Sequence, residues 1–222
     1  MGHSIYMGPW DIMSQHYVKN DEPPPGISSF TKIRLGWISP EQVQLVKPGE
    51  TAMVFLSPLE KMGDTLVLKI PLEKGRYYLV ENRQPVGFDR ILPDAGILIL
   101  AVSPDADEGY GTVKVMDASQ RSPHFSKATF RLDQNNRNIY VDKKANVAVI
   151  PLWQEGEKTG VLVVTTEKSE EALSGARLIH QLLAKYPGPR EKDREELIQK
   201  CMSAFKNLDF KGSARIAQDM LK

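Results

Sequence analysis

Cysteine is nearly absent: Cys201 stands alone among 222 residues, so the chain can form no intramolecular disulfide and no thiolate metal cluster. Its spacing with Ile198 and Phe205 predicts a place on the apolar stripe of a helix, where a free cysteine acts as a small buried hydrophobe. An excess of charge is also missing, with 29 Lys and Arg against 28 Asp and Glu. The basic residues are scattered, and no stripe of them could neutralise successive phosphates, which argues against nucleic acid as a partner. The longest apolar run, Ala95 to Val102, falls far short of the roughly 20 residues that a membrane-spanning helix needs. The first residues carry no basic segment followed by an apolar one, so neither a membrane span nor a signal peptide is read.

Familiar catalytic patterns are missing too. There is no Gly-x-Ser-x-Gly elbow and no glycine-rich loop ending in a phosphate-binding lysine. The four histidines, His3, His16, His124 and His180, include no pair at i and i+4, the spacing that sets two imidazoles on one helical face around zinc. The acidic residues Asp105, Asp107 and Glu108, with Asp94 and Asp117 nearby, offer oxygens of the kind calcium takes. Their spacing misses the regular loop pattern, and a solvated turn explains them equally.

What is present is the composition of an ordinary packed protein, 41% hydrophobic and 26% charged, long enough for a main domain with an appendage. Residues 1–38 form one unit: 1–26 read as irregular chain, rich in Gly, Pro and aromatics, and a short helix runs through Phe30, Ile33 and Leu35, capped by Ser28 or Ser29 and ended by Gly36. Residues 39–166 read as an antiparallel β domain, a sandwich or distorted barrel. Ten candidate strands are predicted at 43–46, 51–56, 65–70, 76–81, 96–102, 111–115, 128–132, 138–141, 146–152 and 160–165, with the turns at 47–50 and 73–75 predicting hairpins. Residues 167–222 switch to helical spacing. A first helix carries Ala172, Ala176, Ile179 and Leu183 with Ser169 as its cap, Pro187-Gly188-Pro189 breaks it, and two further helices form a hairpin or three-helix cap. The fold class is therefore mainly β with a helical tail, α+β overall.

One stretch carries a resemblance. Gly8-Pro9-Trp10-Asp11-Ile12-Met13-Ser14, then Pro25-Gly26, then Phe30-Thr31-Lys32-Ile33-Arg34-Leu35-Gly36-Trp37-Ile38 resembles the segment that follows the zinc helix in the immune inhibitor A family of secreted, metzincin-like metallopeptidases. Tyr77-Tyr78-Leu79-Val80-Glu81-Asn82-Arg83-Gln84, with Gly87-Phe88-Asp89 and Leu92 to Ile99, is similar to a strand, loop and strand of the same family's region after the catalytic domain. The similarity covers residues 5 to about 102. It implies that Trp10, Asp11 and Met13 form a structural methionine turn, with the methionine packed under the metal without coordinating it. It also implies zinc in the complete family and an extracellular location. The His-Glu-x-x-His helix that would bind the zinc precedes this turn in the family and is missing from the sequence, so the expected partner is a zinc-helix segment of the same or another chain.

The triplet Glu81, Asn82, Arg83 at the end of an aromatic strand requires paired groups if buried. Arg83 is expected to fork onto Asp89 or Glu81 and pin the loop to the next strand, the rival being a recognition surface for substrate or prosegment. Trp10, Trp37 and Trp153 read as core or contact aromatics. Three functions follow as expectations: a non-catalytic supporting part of a metallopeptidase, a β-sandwich module binding a protein or glycan, or half of a peptidase completed by a separate chain.

Overall fold

The computed structural model describes residues 6–13, 23–61, 63–107 and 110–222. A short helix, α1 (Ser29–Arg34), precedes nine strands: β1 (Val43–Leu45), β2 (Ala52–Leu56), β3 (Val67–Pro71), β4 (Tyr77–Arg83), β5 (Gly96–Val102), β6 (Val113–Val115), β7 (Tyr140–Asp142), β8 (Val147–Glu155) and β9 (Lys158–Val164). Three helices follow, α2 (Ser169–Lys185), α3 (Lys192–Lys206) and α4 (Phe210–Leu221). The strands form two open sheets, one ordered β1-β3-β4-β5-β6 and the other β2-β9-β8-β7. Among the described residues there is no closed barrel, and the chain is α+β with a sandwich at its centre.

Side chains alternate faces along a strand, and here that alternation separates three apolar layers. Val80, Ile97 and Ile99 of the first sheet meet Val149, Val161 and Val163 of the second in the space between them. The other face of the first sheet, through Leu79, Leu98 and Leu100, packs against Met7, Trp10, Phe30 and Ile38 from the N-terminal segment. The other face of the second sheet, through Ala148, Ile150, Leu162 and Val164, packs against Ala172, Ala176, Ile179 and Phe205 of the helices. The inter-sheet layer is tied at one edge by hydroxyls: Tyr140 donates to the Tyr78 oxygen at 2.8 Å, and Tyr78 donates to Asp142 at 2.7 Å. Burial pushes the Tyr78 hydroxyl far above the ordinary phenol range, with the bonds to Tyr140 and Asp142 acting the same way, so it remains a donor.

Three expectations are corrected. The turn at 47–50 predicts a hairpin, yet β1 and β2 lie in different sheets. Val46 is buried in the inter-sheet layer and its N–H bonds to Lys69, so the chain arches from one sheet to the other and returns as β3, which makes the β1–β3 pair parallel. The segment 128–132 is not a strand and contributes a single bridge between Phe130 and Ile97. The edge of β5 is already occupied by β6 from Leu100 to Val102, which leaves Ile97 as the partner. Ser169 does not accept from the first turn of α2; its hydroxyl donates to the Thr166 carbonyl at 2.7 Å, inside a tight turn at Thr166–Lys168.

The helical ends follow local chemistry. Ser28 caps α1 by accepting from the Thr31 N–H. At its other end the Gly36 and Trp37 N–H groups bond to the carbonyls of Ile33 and Lys32 at 3.1 and 2.9 Å, the paired closure that satisfies the last carbonyls of a helix. In the tail, Phe205 packs edge-on against Trp153 and tilted against Phe210, with centroids 5.4 and 4.9 Å apart. Cys201 is fully buried and directs its sulfur at the Ser213 carbonyl; burial pushes its thiol up.

A bulge interrupts the β8–β9 ladder. Pro151 pairs with Val161 and Gln154 with Thr159, so Leu152 and Trp153 together oppose Gly160. A Cβ on Gly160 would lie 3.0 Å from Leu152 Cβ and 3.1 Å from the Phe55 ring. Replacing a strand glycine by a β-branched residue ordinarily helps. Here Gly160→Val is expected to cost about 1–3 kcal/mol through overpacking, read as a lower urea midpoint at unchanged slope.

Candidate functional site

The residues singled out by the sequence gather on the outer face of the first sheet, but not all of them. Continued alternation along β4 sends Glu81 and Arg83 to the same side as Leu79, beneath α1 and the N-terminal segment, and sends Asn82 to the inter-sheet side. There the Asn82 amide donates to the Leu56 carbonyl of β2 at 3.0 Å and its oxygen accepts from Gln84 at 2.8 Å. The triplet is therefore two separate bonding sets. All three side chains have zero exposure, so they offer no recognition surface.

Arg83 is the centre of the outer set. Its Nε and Nη2 donate to the two oxygens of Asp89 at 2.7 and 2.6 Å, and Nη1 donates to Glu81 at 2.8 Å. The remaining donors reach main chain: Nη1 to the Trp10 carbonyl at 3.0 Å and Nη2 to the Gly26 carbonyl at 3.2 Å. A guanidinium has five N–H groups, and each is used. The sequence left Asp89 and Glu81 as alternative partners; the arginine holds both. Glu81 turns its second oxygen to the Ser29 N–H at 2.8 Å, anchoring the first turn of α1.

Burial disfavours the charged guanidinium, but the carboxylates of Glu81 and Asp89 outweigh it and hold Arg83 protonated beyond its already high ordinary value. Burial also pushes the Asp89 carboxyl up, Arg83 opposing this, and Glu60 and Glu81 add to the rise. A lone buried charge here would cost several kcal/mol, so the fork and its hydrogen bonds are what make the arrangement tolerable.

Asp11 holds a second knot. It accepts from the Met13 N–H at 2.9 Å, the Ser28 N–H at 3.1 Å and the Thr31 hydroxyl at 2.8 Å, and also from the Ser28 hydroxyl. Trp10 is fully buried, donates from its indole to the Phe125 carbonyl at 2.9 Å, and lies with its ring 5.8 Å from the Arg83 guanidinium carbon. Met13 is different: it is 74% exposed. Ser14, at the end of the resemblance's first run, lies outside the described residues, as do His3 and His16. Of the three tryptophans expected inside, Trp10 and Trp153 are buried while Trp37 is 66% exposed, because α1 ends just before it and the chain turns outward.

Sequence reasoning gave no site role to Gly26, Thr31, Lys32 or Glu60, although the first three lie in the stretches that carry the resemblance. Gly26 passes so close to Asp89 that a Cβ would fall 2.3 Å from its carboxylate oxygen; its place after three prolines is a local signal that could have marked it. Lys32 reaches Glu60 at 2.6 Å and the Leu59 carbonyl at 3.1 Å, tying α1 to the loop after β2.

The acidic residues considered for calcium do not converge. Asp94 is engaged by Arg137 and by the Thr129 hydroxyl, Asp117 accepts from Ser119 within its own turn, and Asp105 and Asp107 are exposed. Glu108 lies outside the described residues. Among the described residues no group of three or more His, Cys, Asp or Glu side chains could hold a metal ion, and no helix is long and apolar enough to cross a membrane. Chemically, the arrangement around Arg83 has no free donor or open carboxylate edge for a substrate; it joins four pieces of chain. Comparison with protein-family models, curated proteins and solved structures finds no match to this chain.

Proposed function

We propose that the chain is a non-catalytic, supporting part of a zinc metallopeptidase of the immune inhibitor A type, in which the methionine-turn segment is docked onto a β-sandwich. The observation that carries the reading is the saturated Arg83 clamp. Residues on which the resemblance rests, Trp10, Gly26, Glu81, Arg83 and Asp89, are distant in sequence and meet in one buried set of hydrogen bonds. That is the construction expected of a joint between a segment ending one domain and the sheet of the next.

Zinc in the complete family is bound through His-Glu-x-x-His, and this sequence contains no such motif. Among the described residues no group of three or more His, Cys, Asp or Glu side chains could hold zinc, and the zinc helix is a partner segment. Purified chain incubated with zinc and casein is expected to release no peptides above a heat-treated control. Cleavage that needs zinc and stops with a chelator would sink the proposal.

A further inference from the structure

Beside the bulge in β8 lies a cleft of about 450 Å³, bounded by Gln84 just after β4, the start of β5, the 130–133 segment, β8, β9 and α2. This volume lies within the range of small-molecule sites. Thr159 lines it from β9 and is only 7% exposed, yet its hydroxyl has no hydrogen-bond partner among the described residues. A buried hydroxyl left unpaired is a cost that a packed protein normally avoids. Gln84, Gln154 and His180 bring further polar side chains to the same cleft, and Leu132, Leu152 and Leu183 supply apolar wall.

We infer that this cleft is a binding site for an uncharged, amide-bearing ligand with an apolar side chain, the chemistry of a capped amino acid or a neutral stretch of peptide. Charge decides against ionic ligands. The charged pair lining the cleft, Arg131 and Asp133, is joined through two bonds of 3.0 and 2.9 Å, so opposite charges lie side by side there and offset each other toward an ionic ligand. A sugar is disfavoured by the aromatics. Trp153 and Phe130 are each 4% exposed, and their rings are set against Phe205 and Tyr140, so neither offers an open face for a pyranose to stack on. An amide has both a donor and an acceptor to match the glutamines and the threonine hydroxyl, while its aliphatic side chain takes the leucine wall. The site shares no lining side chain with the Arg83 clamp and does not depend on the reading of that clamp.

The test is titration with N-acetyl-leucine amide, following the ring resonances of His180 by nuclear magnetic resonance with His124 as internal control. A saturable shift confined to His180 in the millimolar range is expected, in keeping with so small a probe. Thr159→Val should weaken binding about threefold or more without lowering the melting temperature, since it removes an unpaired hydroxyl. Ala184→Trp, at an exposed helical position on the rim, should abolish the shift. No shift by about 20 mM probe, or a shift unchanged in both variants, overturns the site. A response to methyl glucoside in place of the amide overturns the ligand class.

Discussion

Arg83→Met is expected to lower stability by about 3–5 kcal/mol, because it strands two carboxylates in the interior. Glu81 and Asp89 are fully or almost fully buried, and both lose the partner that makes their charge tolerable. Equilibrium denaturation at neutral pH is the measurement. Arg83→Lys should recover only part of the loss: an ammonium has three donors on one point and cannot fork onto Asp89 while also reaching Glu81, the Trp10 carbonyl and the Gly26 carbonyl. The pH dependence adds a second signature. Burial already pushes the Asp89 carboxyl upward in the intact protein, and without the guanidinium opposing it the rise is larger. A carboxyl raised in the folded state contributes stability that is full below its unfolded value and is lost as pH climbs through the folded one. The deficit of the methionine variant should therefore shrink as pH is lowered from neutrality toward the ordinary aspartate range. A deficit that grows with acid would mean that the carboxylates are not what the arginine serves.

Removal of the helices is expected to have a larger effect. A chain ending at Glu167 should lose cooperative unfolding and aggregate, as seen by circular dichroism melts and size-exclusion chromatography. Ala148, Ile150, Leu152, Leu162 and Val164 are covered in one cluster with the helical residues Ala172, Ile179, Cys201 and Phe205. Exposing a buried aliphatic side chain of leucine or valine size costs about 1.5–3 kcal/mol, and several together are comparable with the roughly 5–15 kcal/mol that keeps a domain folded. A soluble, cooperatively melting truncation would show instead that the helices are an independent appendage.

These two predictions differ in how far the sequence alone leads to them. The helical stripe through Ala172, Ala176 and Ile179 is legible because local spacing writes it directly, and so are most of the strands. The site is legible in its residue types: a charged triplet on an aromatic strand has to be paired. What the local pattern does not carry is which face each member takes and which distant chain it meets. The split of Asn82 from Glu81 and Arg83 depends on β4 continuing to Arg83, two residues beyond the predicted end. The Gly26 approach and the Trp10 carbonyl are main-chain contacts without side-chain signature. The arch between β1 and β2 looks like a hairpin because the turn residues are those of a hairpin, and only the burial of Val46 between the sheets redirects it. Trp37 shows the opposite failure, since a large aromatic is expected inside and nothing in its local sequence announces exposure.

The strand order has a consequence for synthesis. Among the described strands β2 pairs only with β9, Ala52 opposite Val163, so a strand made early waits for the final strand of the sandwich before it has a neighbour. Throughout that interval Met53, Val54 and Phe55 belong to an unpaired edge on the nascent chain, the kind of segment that recruits holding chaperones. Slowing translation between the two strands should therefore prolong exposure to aggregation, whereas a pause after β9 should not.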